Sequence, residues 1–148
     1  MPPDSEVPAA IPEAFRDLLS GDALATLATT RTDGTSHLTP VWIAEEDGRL
    51  LVNTREDRIK AAHMRRRPEV ALCIVDPANP YRYLSVNGVV ESVSEEGALA
   101  HMDTLARRYL RVRRYPWAAA GERRLLFRIR PTRVIVDDGE VDLPEPEL

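Results

Sequence analysis

The sequence predicts a mostly β protein in which about six short antiparallel strands, with two or three helices between them, form a closed or nearly closed barrel. First, 148 residues are enough for one domain with a substantial hydrophobic core. Second, the dipeptides Asp33-Gly34 and Asp47-Gly48 suit tight hairpin turns. Third, short runs of β-branched and aliphatic residues flank both dipeptides, as strands do. Barrel closure is favoured because it removes exposed strand edges.

The N-terminal third of the chain contains a short helix and three strands. The proline-rich, charged residues 1–10 are expected to be disordered, and apolar residues then recur at helical spacing from Ile11 to Leu19. Strands are predicted over residues 23–31, 35–44 and 49–54, separated from one another by the two Asp-Gly turns. The three strands are expected to pair in order as a meander.

A second short helix is predicted over residues 58–67. Asp57 can serve as its N-cap, Ile59 and Ala62 fall on one face, and Pro68 follows its end. The helix therefore begins directly after the strand that ends at residue 54.

The remaining strands and a longer helix follow. Strands are predicted over residues 69–76 and 83–93, and Gly88 within the second indicates a bulge or a close backbone approach. Ser94 is the expected N-cap of the helix, whose apolar side is formed by Ala98, Leu99, Met102, Leu105, Ala106 and Tyr109.

Residues 123–136 complete the predicted domain. They form a last strand or strand pair, broken at Pro131, because proline cannot donate to a strand ladder. The domain thus covers residues 11–136, and residues 137–148 are an acidic tail.

Charge and composition exclude several classes of partner. A net charge of −4 argues against nucleic acid, since binding to phosphate backbones needs a basic excess. No apolar run approaches the ~20 residues that cross a membrane, and no export signal is evident, so a cytoplasmic location is expected. The single cysteine, Cys73, allows no internal disulfide, which agrees with that compartment.

Residues 51–68, LVNTREDRIKAAHMRRRP, hold the most informative pattern for binding. A helix N-terminus presents free N–H groups and the positive end of its dipole to an anion. Asn53 and Thr54 can add donors, while Arg58 and Lys60 bring full charges in a chain where Lys60 is the only lysine. The pattern predicts a phosphate site, with a solvated basic helix face as the alternative.

Two further segments carry candidate ligand contacts. Pro40 inside a strand indicates an edge or bulge, and Trp42 on the same face lines either a flat pocket or the core. Tyr81 and Tyr83 start a later strand, where they can cover a ring, form a subunit interface or simply pack. His37 is a candidate proton carrier or a surface histidine.

Other catalytic patterns are missing from the sequence. It contains no Gly-rich dinucleotide fingerprint, P-loop or Gly-x-Ser-x-Gly elbow, and its three histidines are far apart, without metal-ligand spacing. No metal is expected and no catalytic residue is assigned. Catalytic power would then have to come from an organic cofactor.

Residues 15–136 resemble the split-barrel superfamily of pyridoxamine 5′-phosphate oxidase, which binds flavin-type cofactors, and within it a group of probable F420-dependent enzymes. The resemblance rests on the order and spacing of several segments: LATLATTRTDGTSHLTPVWI, VNTREDRIKAAHMRRRPEVAL, YRYLSVNGVVESV, RRYLRVRRYPW and GERRLLFRIRPTRV. It implies a split β-barrel and a homodimer with two cofactor sites at the subunit interface.

The resemblance also implies roles for particular residues. Arg58 and Lys60 match positions that hold the cofactor phosphate, assisted by Asn53 and Thr54. Pro40, Val41 and Trp42 match the strand beside the tricyclic ring, and Tyr81 and Tyr83 match positions that approach from the second subunit. The anionic oligoglutamate tail of coenzyme F420 is expected to meet Arg55, Arg65, Arg66 and Arg67 electrostatically.

The implied activity is hydride transfer between the reduced deazaflavin and a small unsaturated, quinone-like or nitro substrate. Two alternatives stay open at this stage. One is an FMN-dependent oxidase or reductase of the same fold, because FMN also carries a phosphate and a flat ring. The other is a protein that binds a flavin or deazaflavin without turnover.

Overall fold

The computed structural model describes residues 7–142 and 144–147. Residues 1–6 of the predicted disordered segment, and positions 143 and 148 of the predicted tail, lie outside them. In the remainder of the N-terminal segment, the backbone N–H of Ala9 donates to the carbonyl of Pro131 at 2.8 Å. No helix in the described part of the chain is long and apolar enough to cross a membrane.

The described residues form one antiparallel sheet of seven strands and three helices. The strands are β1 (Ala25–Thr30), β2 (Ser36–Val41), β3 (Ala44–Glu46), β4 (Arg49–Arg55), β5 (Glu69–Asp76), β6 (Asn79–Ser94) and β7 (Arg124–Asp138). The helices are a 3₁₀ helix (Glu13–Leu19), α1 (Ile59–Arg66) and α2 (Ala98–Leu110). The predicted class is confirmed, with one strand more than expected.

The strand order explains why the sheet closes. It runs β2-β1-β5-β6-β7-β4-β3, so β2 and β3 lie at opposite ends of the sheet. Only Trp42 and Ile43 separate these two strands along the chain. The ends of the sheet must therefore meet, and the sheet curls into a split β-barrel.

The predicted meander of three strands is wrong. The strand expected over residues 35–44 ends at Val41, and after the bend at Trp42 the chain continues as β3 at the other end of the sheet. Strand β4 pairs with β3 and β7 and not with β2. The bend allows Ile43 to be wholly buried in the core, which a straight edge strand would not achieve.

Helix α2 holds the junction of the barrel together. The Tyr109 hydroxyl accepts a hydrogen bond from the Ile43 N–H at 3.1 Å and donates to the Ala23 carbonyl at 2.8 Å. Arg108 Nε donates to the Gly21 carbonyl at 2.7 Å. These bonds satisfy backbone groups where the sheet ladder is interrupted.

Two helix details differ from the prediction. The N-cap of α2 is Gly97, at φ +78°, because Ser94 is still in β6 and its hydroxyl donates to the Glu96 carbonyl. In α1, Ile59 is 63% exposed, whereas Ala61 and Met64 are buried against the barrel. The apolar face predicted for α1 is therefore wrong, because the direction in which the helix packs, and not its few apolar residues, decides which side is covered.

The hydrophobic core fills the inside of the barrel, and the surroundings of Gly88 show that its strands are closely packed. A Cβ at position 88 would lie 2.6 Å from Ile129 Cγ2 and 2.9 Å from the Arg130 carbonyl oxygen. The register shifts between Asn87 and Gly88, so the predicted bulge is confirmed. Gly88 lies opposite Pro131, and β7 continues through this proline, so the predicted break there is wrong. The bulge accommodates the missing N–H donor.

Candidate functional site

A cavity of about 500 Å³ opens where the ends of β2 and β4 meet the start of α1. Eight of the predicted site residues line it: Pro40, Val41, Trp42, Asn53, Thr54, Arg55, Arg58 and Lys60. They come from β2 and the bend after it, from β4, and from the start of α1. Strands β2 and β4 are far apart in the strand order, and closure of the barrel brings them together. A direct link across the cavity is the hydrogen bond from Lys60 Nζ to Thr39 Oγ1, at 3.2 Å.

The N-terminus of α1 is not capped by any side chain. Asp57 was predicted as the N-cap, but Arg58 occupies that position. Both carboxylate oxygens of Asp57 instead accept hydrogen bonds from Arg55, at 3.0 and 2.6 Å, and this pairing lowers the pKa of Asp57. The first N–H groups of an uncapped helix need acceptors from outside it, and an anion can supply them.

Arg58 and Lys60, here called the cation pair, form no salt bridge within residues 7–142 and 144–147. Arg58 interacts with Asp57 at longer range, and that carboxylate is already paired with Arg55. Burial lowers the pKa of Lys60, and the nearby Arg58 lowers it further. An anion bound at this position would relieve both effects, because it restores a favourable environment for the charged lysine.

A second group at the cavity, here called the arginine–aromatic cluster, consists of the lining residues Trp42, Tyr115, Trp117 and Arg124, together with Glu122, the ion-pair partner of Arg124. Arg124 Nε and Glu122 Oε2 lie 2.8 Å apart, and the two side chains are only 5% and 4% exposed. The guanidinium carbon of Arg124 is 4.7 Å from the centre of the Tyr115 ring. In this cluster the positive charge is compensated within the protein.

Aromatic rings form one wall of the cavity. Trp42 stacks on Tyr109 with ring centres 5.1 Å apart and planes inclined by 4°. Tyr115 meets Trp42 edge-on at 6.1 Å, and Trp117 meets Tyr115 edge-on at 5.7 Å. Trp42 thus lines a pocket, one of its two predicted roles, and Trp117 remains 64% exposed beside it.

The sequence interpretation missed several lining residues: Leu24, Thr39, Met102, Tyr115, Trp117 and Arg124. Tyr115 and Trp117 belong to a segment that was noted only for its resemblance to relatives. Arg124 carries no distinguishing pattern in an arginine-rich chain. Its position depends on the pairing of β7 with β4, where it lies opposite Arg55.

Three predicted candidates lie away from this cavity. Tyr81 is 54% exposed, and Tyr83 pairs with Val75 and Asp137 on β5 and β7. His37 lies edge-on to His63, with ring centres 5.3 Å apart. None of the three lines the cavity within the chain that the structure describes. Whether the tyrosines reach a cavity in a second subunit stays a prediction.

A split β-barrel with an uncapped, cationic helix N-terminus beside an aromatic cavity defines a class of small-ligand-binding barrels. The family described as pyridoxamine 5′-phosphate oxidase matches residues 11–136, and the chain belongs to this family. No curated protein matches the chain.

Solved structures agree with this assignment. One, named F420 Reductase, is 33% identical, with a TM-score of 0.75, and the match covers 84% of this chain and 98% of that one. A conserved hypothetical protein from Mycobacterium tuberculosis is 25% identical, with a TM-score of 0.72, over 97% of this chain and 94% of its own. A putative pyridoxamine 5′-phosphate oxidase from Listeria innocua is 16% identical, with a TM-score of 0.63, over 84% and 94%, and shares the fold.

Proposed function

We propose that the protein is an oxidoreductase that binds the deazaflavin coenzyme F420 in this cavity. It would transfer hydride between the reduced cofactor and a small unsaturated, quinone-like or nitro substrate. The similarity to a structure named F420 Reductase supports this cofactor over other flavin types. The cytoplasmic location expected from the sequence is part of the same proposal.

The observation that carries the proposal is the uncompensated cation pair at an uncapped helix N-terminus. Arg58 offers a planar fork of donors and Lys60 a compact point charge, so together they can hold a phosphate from two directions. Burial disfavours the charged form of Lys60, whose ammonium has one hydrogen bond, to Thr39, and an anionic ligand would offset this cost. A solvated basic helix face would not require a lysine turned into a cavity.

The rest of the cavity fits a flat ring. Pro40 and Trp42 offer rigid apolar surface, and a volume of about 500 Å³ lies in the range usual for sites that hold a cofactor-sized molecule. A reduced deazaflavin, when bound, supplies the hydride. The protein would position the ring against the substrate and exclude water. Binding residues contribute to such a reaction in these two ways.

We further propose that the active form is a homodimer. One row of uncharged side chains crosses five neighbouring strands on the side of the sheet that faces away from the core: Pro40, Thr26, Cys73, Ser85 and Ile135. Pro40 also lines the cavity, so the cavity borders this face. A second copy packed on it by two-fold symmetry would cover the row and bring its Tyr83, on the same face, towards the cavity.

The dimer is tested by sedimentation of Ile135→Glu. Ile135 is 45% exposed and does not line the cavity, and burying a carboxylate in an interface is costly. We expect a dimeric wild-type protein and a monomeric variant with weakened cofactor binding. The matched control is Leu99→Glu on α2, which should remain dimeric. A monomeric wild-type protein would contradict the proposal.

The cofactor is tested by fluorescence titration with F420 and, separately, with FMN. Lys60→Glu reverses a charge of the cation pair, so we expect at least about 100-fold weaker binding of F420 with an unchanged fold. Arg67→Glu makes a charge change of the same sign at the exposed other end of α1 and should bind almost as the wild type does.

The outcomes separate the candidate functions. Preference for FMN, visible as a yellow purified protein, would replace F420 by FMN as the cofactor. Tight binding by a protein whose reduced cofactor is stable towards every quinone and nitro acceptor would indicate binding without turnover. Retained binding in Lys60→Glu would contradict the phosphate assignment.

A further inference from the structure

Arg124 is held in the cavity wall by four neighbours. Its Nε bonds to Glu122 at 2.8 Å, and its Nη1 donates to Asn53 Oδ1 at 3.3 Å and contacts Met102 Sδ at 3.5 Å. The ring of Tyr115 lies against the guanidinium group. A side chain that is held in this way loses little further conformational freedom when it binds a ligand. Arg124 is therefore preorganised for binding.

The remaining nitrogen of this guanidinium, Nη2, has no acceptor among the residues that the structure describes. The side chain is 95% buried, since only 5% of it is exposed, and yet Arg124 lines the cavity. Among the described residues, Nη2 is not one of the buried polar atoms that lack a partner, so this nitrogen is open to the cavity that Arg124 lines. A donor that is held in place and open to the cavity can bind a ligand atom there.

Asn53 positions Arg124 and has no donor left for a ligand. Its amide Nδ2 donates to the Ala98 carbonyl at 2.7 Å and is 3.2 Å from Nδ1 of His101. These two acceptors orient the amide so that its oxygen faces Arg124. The amide donor expected from Asn53 at the phosphate is therefore engaged elsewhere.

The charge balance indicates what kind of atom Nη2 binds. Glu122 neutralises Arg124 directly and also lies 3.8 Å from Arg55. A compensated guanidinium attracts a second full anion much less than the cation pair does, but it still donates a strong hydrogen bond. A conjugated carbonyl oxygen, which is neutral but polarised, matches such a donor.

We propose that Arg124 Nη2 binds a conjugated carbonyl oxygen of the molecule in the cavity. This inference rests on the proposed function, because both the pyrimidinedione ring of a flavin-type cofactor and a quinone substrate carry such an oxygen. The cation pair would then recognise the phosphate, and Arg124 the ring or the substrate. The two sources of the carbonyl are distinguished by experiment.

The test uses Arg124→Gln/Glu122→Gln, which removes the guanidinium without leaving a buried carboxylate unpaired. Glu122→Gln alone is the matched control that keeps Nη2. In one arm, each protein is titrated with riboflavin and with the deazaflavin chromophore, both without phosphate. In the second arm, the protein saturated with its oxidised cofactor is titrated with menadione. The affinity of each protein for inorganic phosphate is measured separately, by competition with F420, and circular dichroism checks the fold.

If the carbonyl belongs to the cofactor, the double variant binds the phosphate-free ring about tenfold more weakly than the control. If it belongs to the substrate, menadione binding falls by a similar factor and ring binding does not. Competition by phosphate stays unchanged in both cases. Unchanged affinity in both arms, or an equal loss that includes phosphate, overturns the inference. A wild-type protein that binds neither F420 nor FMN overturns the proposed function and this inference with it.

Discussion

The cation pair and the arginine–aromatic cluster line the same cavity but treat positive charge in opposite ways. Arg58 and Lys60 form no salt bridge in the described chain, whereas Arg124 is almost fully buried against Glu122. The first arrangement leaves charge for a ligand to neutralise, and the second uses it to hold a donor in place. The unpaired charges of the cation pair therefore indicate where an anionic group binds. The paired charge of Arg124 indicates a donor that orients the bound molecule.

The largest expected difference between the cation pair and the arginine–aromatic cluster is in how much one substitution in each destabilises the protein. Glu122→Ala leaves a buried guanidinium without its counter-ion, so we expect the free energy of unfolding to fall by about 3 kcal/mol. Lys60→Met removes an uncompensated charge, so the free energy of unfolding should change by less than about 1 kcal/mol. Urea denaturation measures both. Equal destabilisation by the two variants would remove the distinction between these parts of the cavity wall.

The pH dependence of cofactor affinity should come from the cation pair. Burial and Arg58 lower the pKa of Lys60, so the free protein loses this charge at a less alkaline pH than an ordinary lysine would. Affinity is therefore expected to fall severalfold as the pH rises through the alkaline range, with the fall beginning below the pH at which an ordinary lysine titrates. Lys60→Arg stays charged throughout this range and should remove most of the decline. A decline of equal size in this variant would assign the titration to another group.

Ionic strength should have a smaller effect, and it should change binding through the cation pair more than binding through Arg124. Salt screens the attraction between the exposed Arg58 and a phosphate, so F420 affinity is expected to fall a few-fold between about 0.05 and about 0.5 M salt. Arg58→Gln should show a shallower fall. Binding of the phosphate-free ring depends on the compensated Arg124 and should hardly change. A salt-independent F420 affinity would contradict the electrostatic account of the cation pair.

Local chemistry explains which predictions the structure confirmed. The turn residues Asp33-Gly34 and Asp47-Gly48 lie at hairpins because Gly34, Asp47 and Gly48 adopt positive φ angles. Gly88 lies at a bulge because only a hydrogen fits against Ile129 and Arg130. These features depend on a few neighbouring residues, so the sequence predicts them directly.

The errors arise where a specific contact competes with the usual preference of a residue type. Asp57 has the right chemistry for an N-cap, but Arg55 offers it two charge-assisted hydrogen bonds. The strand over residues 35–44 has continuous β propensity, but burial of Ile43 requires a bend within it. Propensity is a weak preference, and such contacts override it.

The sequence by itself determined the mostly β class, the hairpin turns and the cationic helix start with Arg58 and Lys60, because each follows from residue types that are close together in the chain. Only the tertiary structure decided that β2 and β3 close the barrel and that Arg124 joins the cavity. Strand pairing over long sequence separations is chosen by burial and register, which composition and spacing do not specify. A ligand site assembled from β2, β4, α1 and β7 therefore becomes visible only after folding.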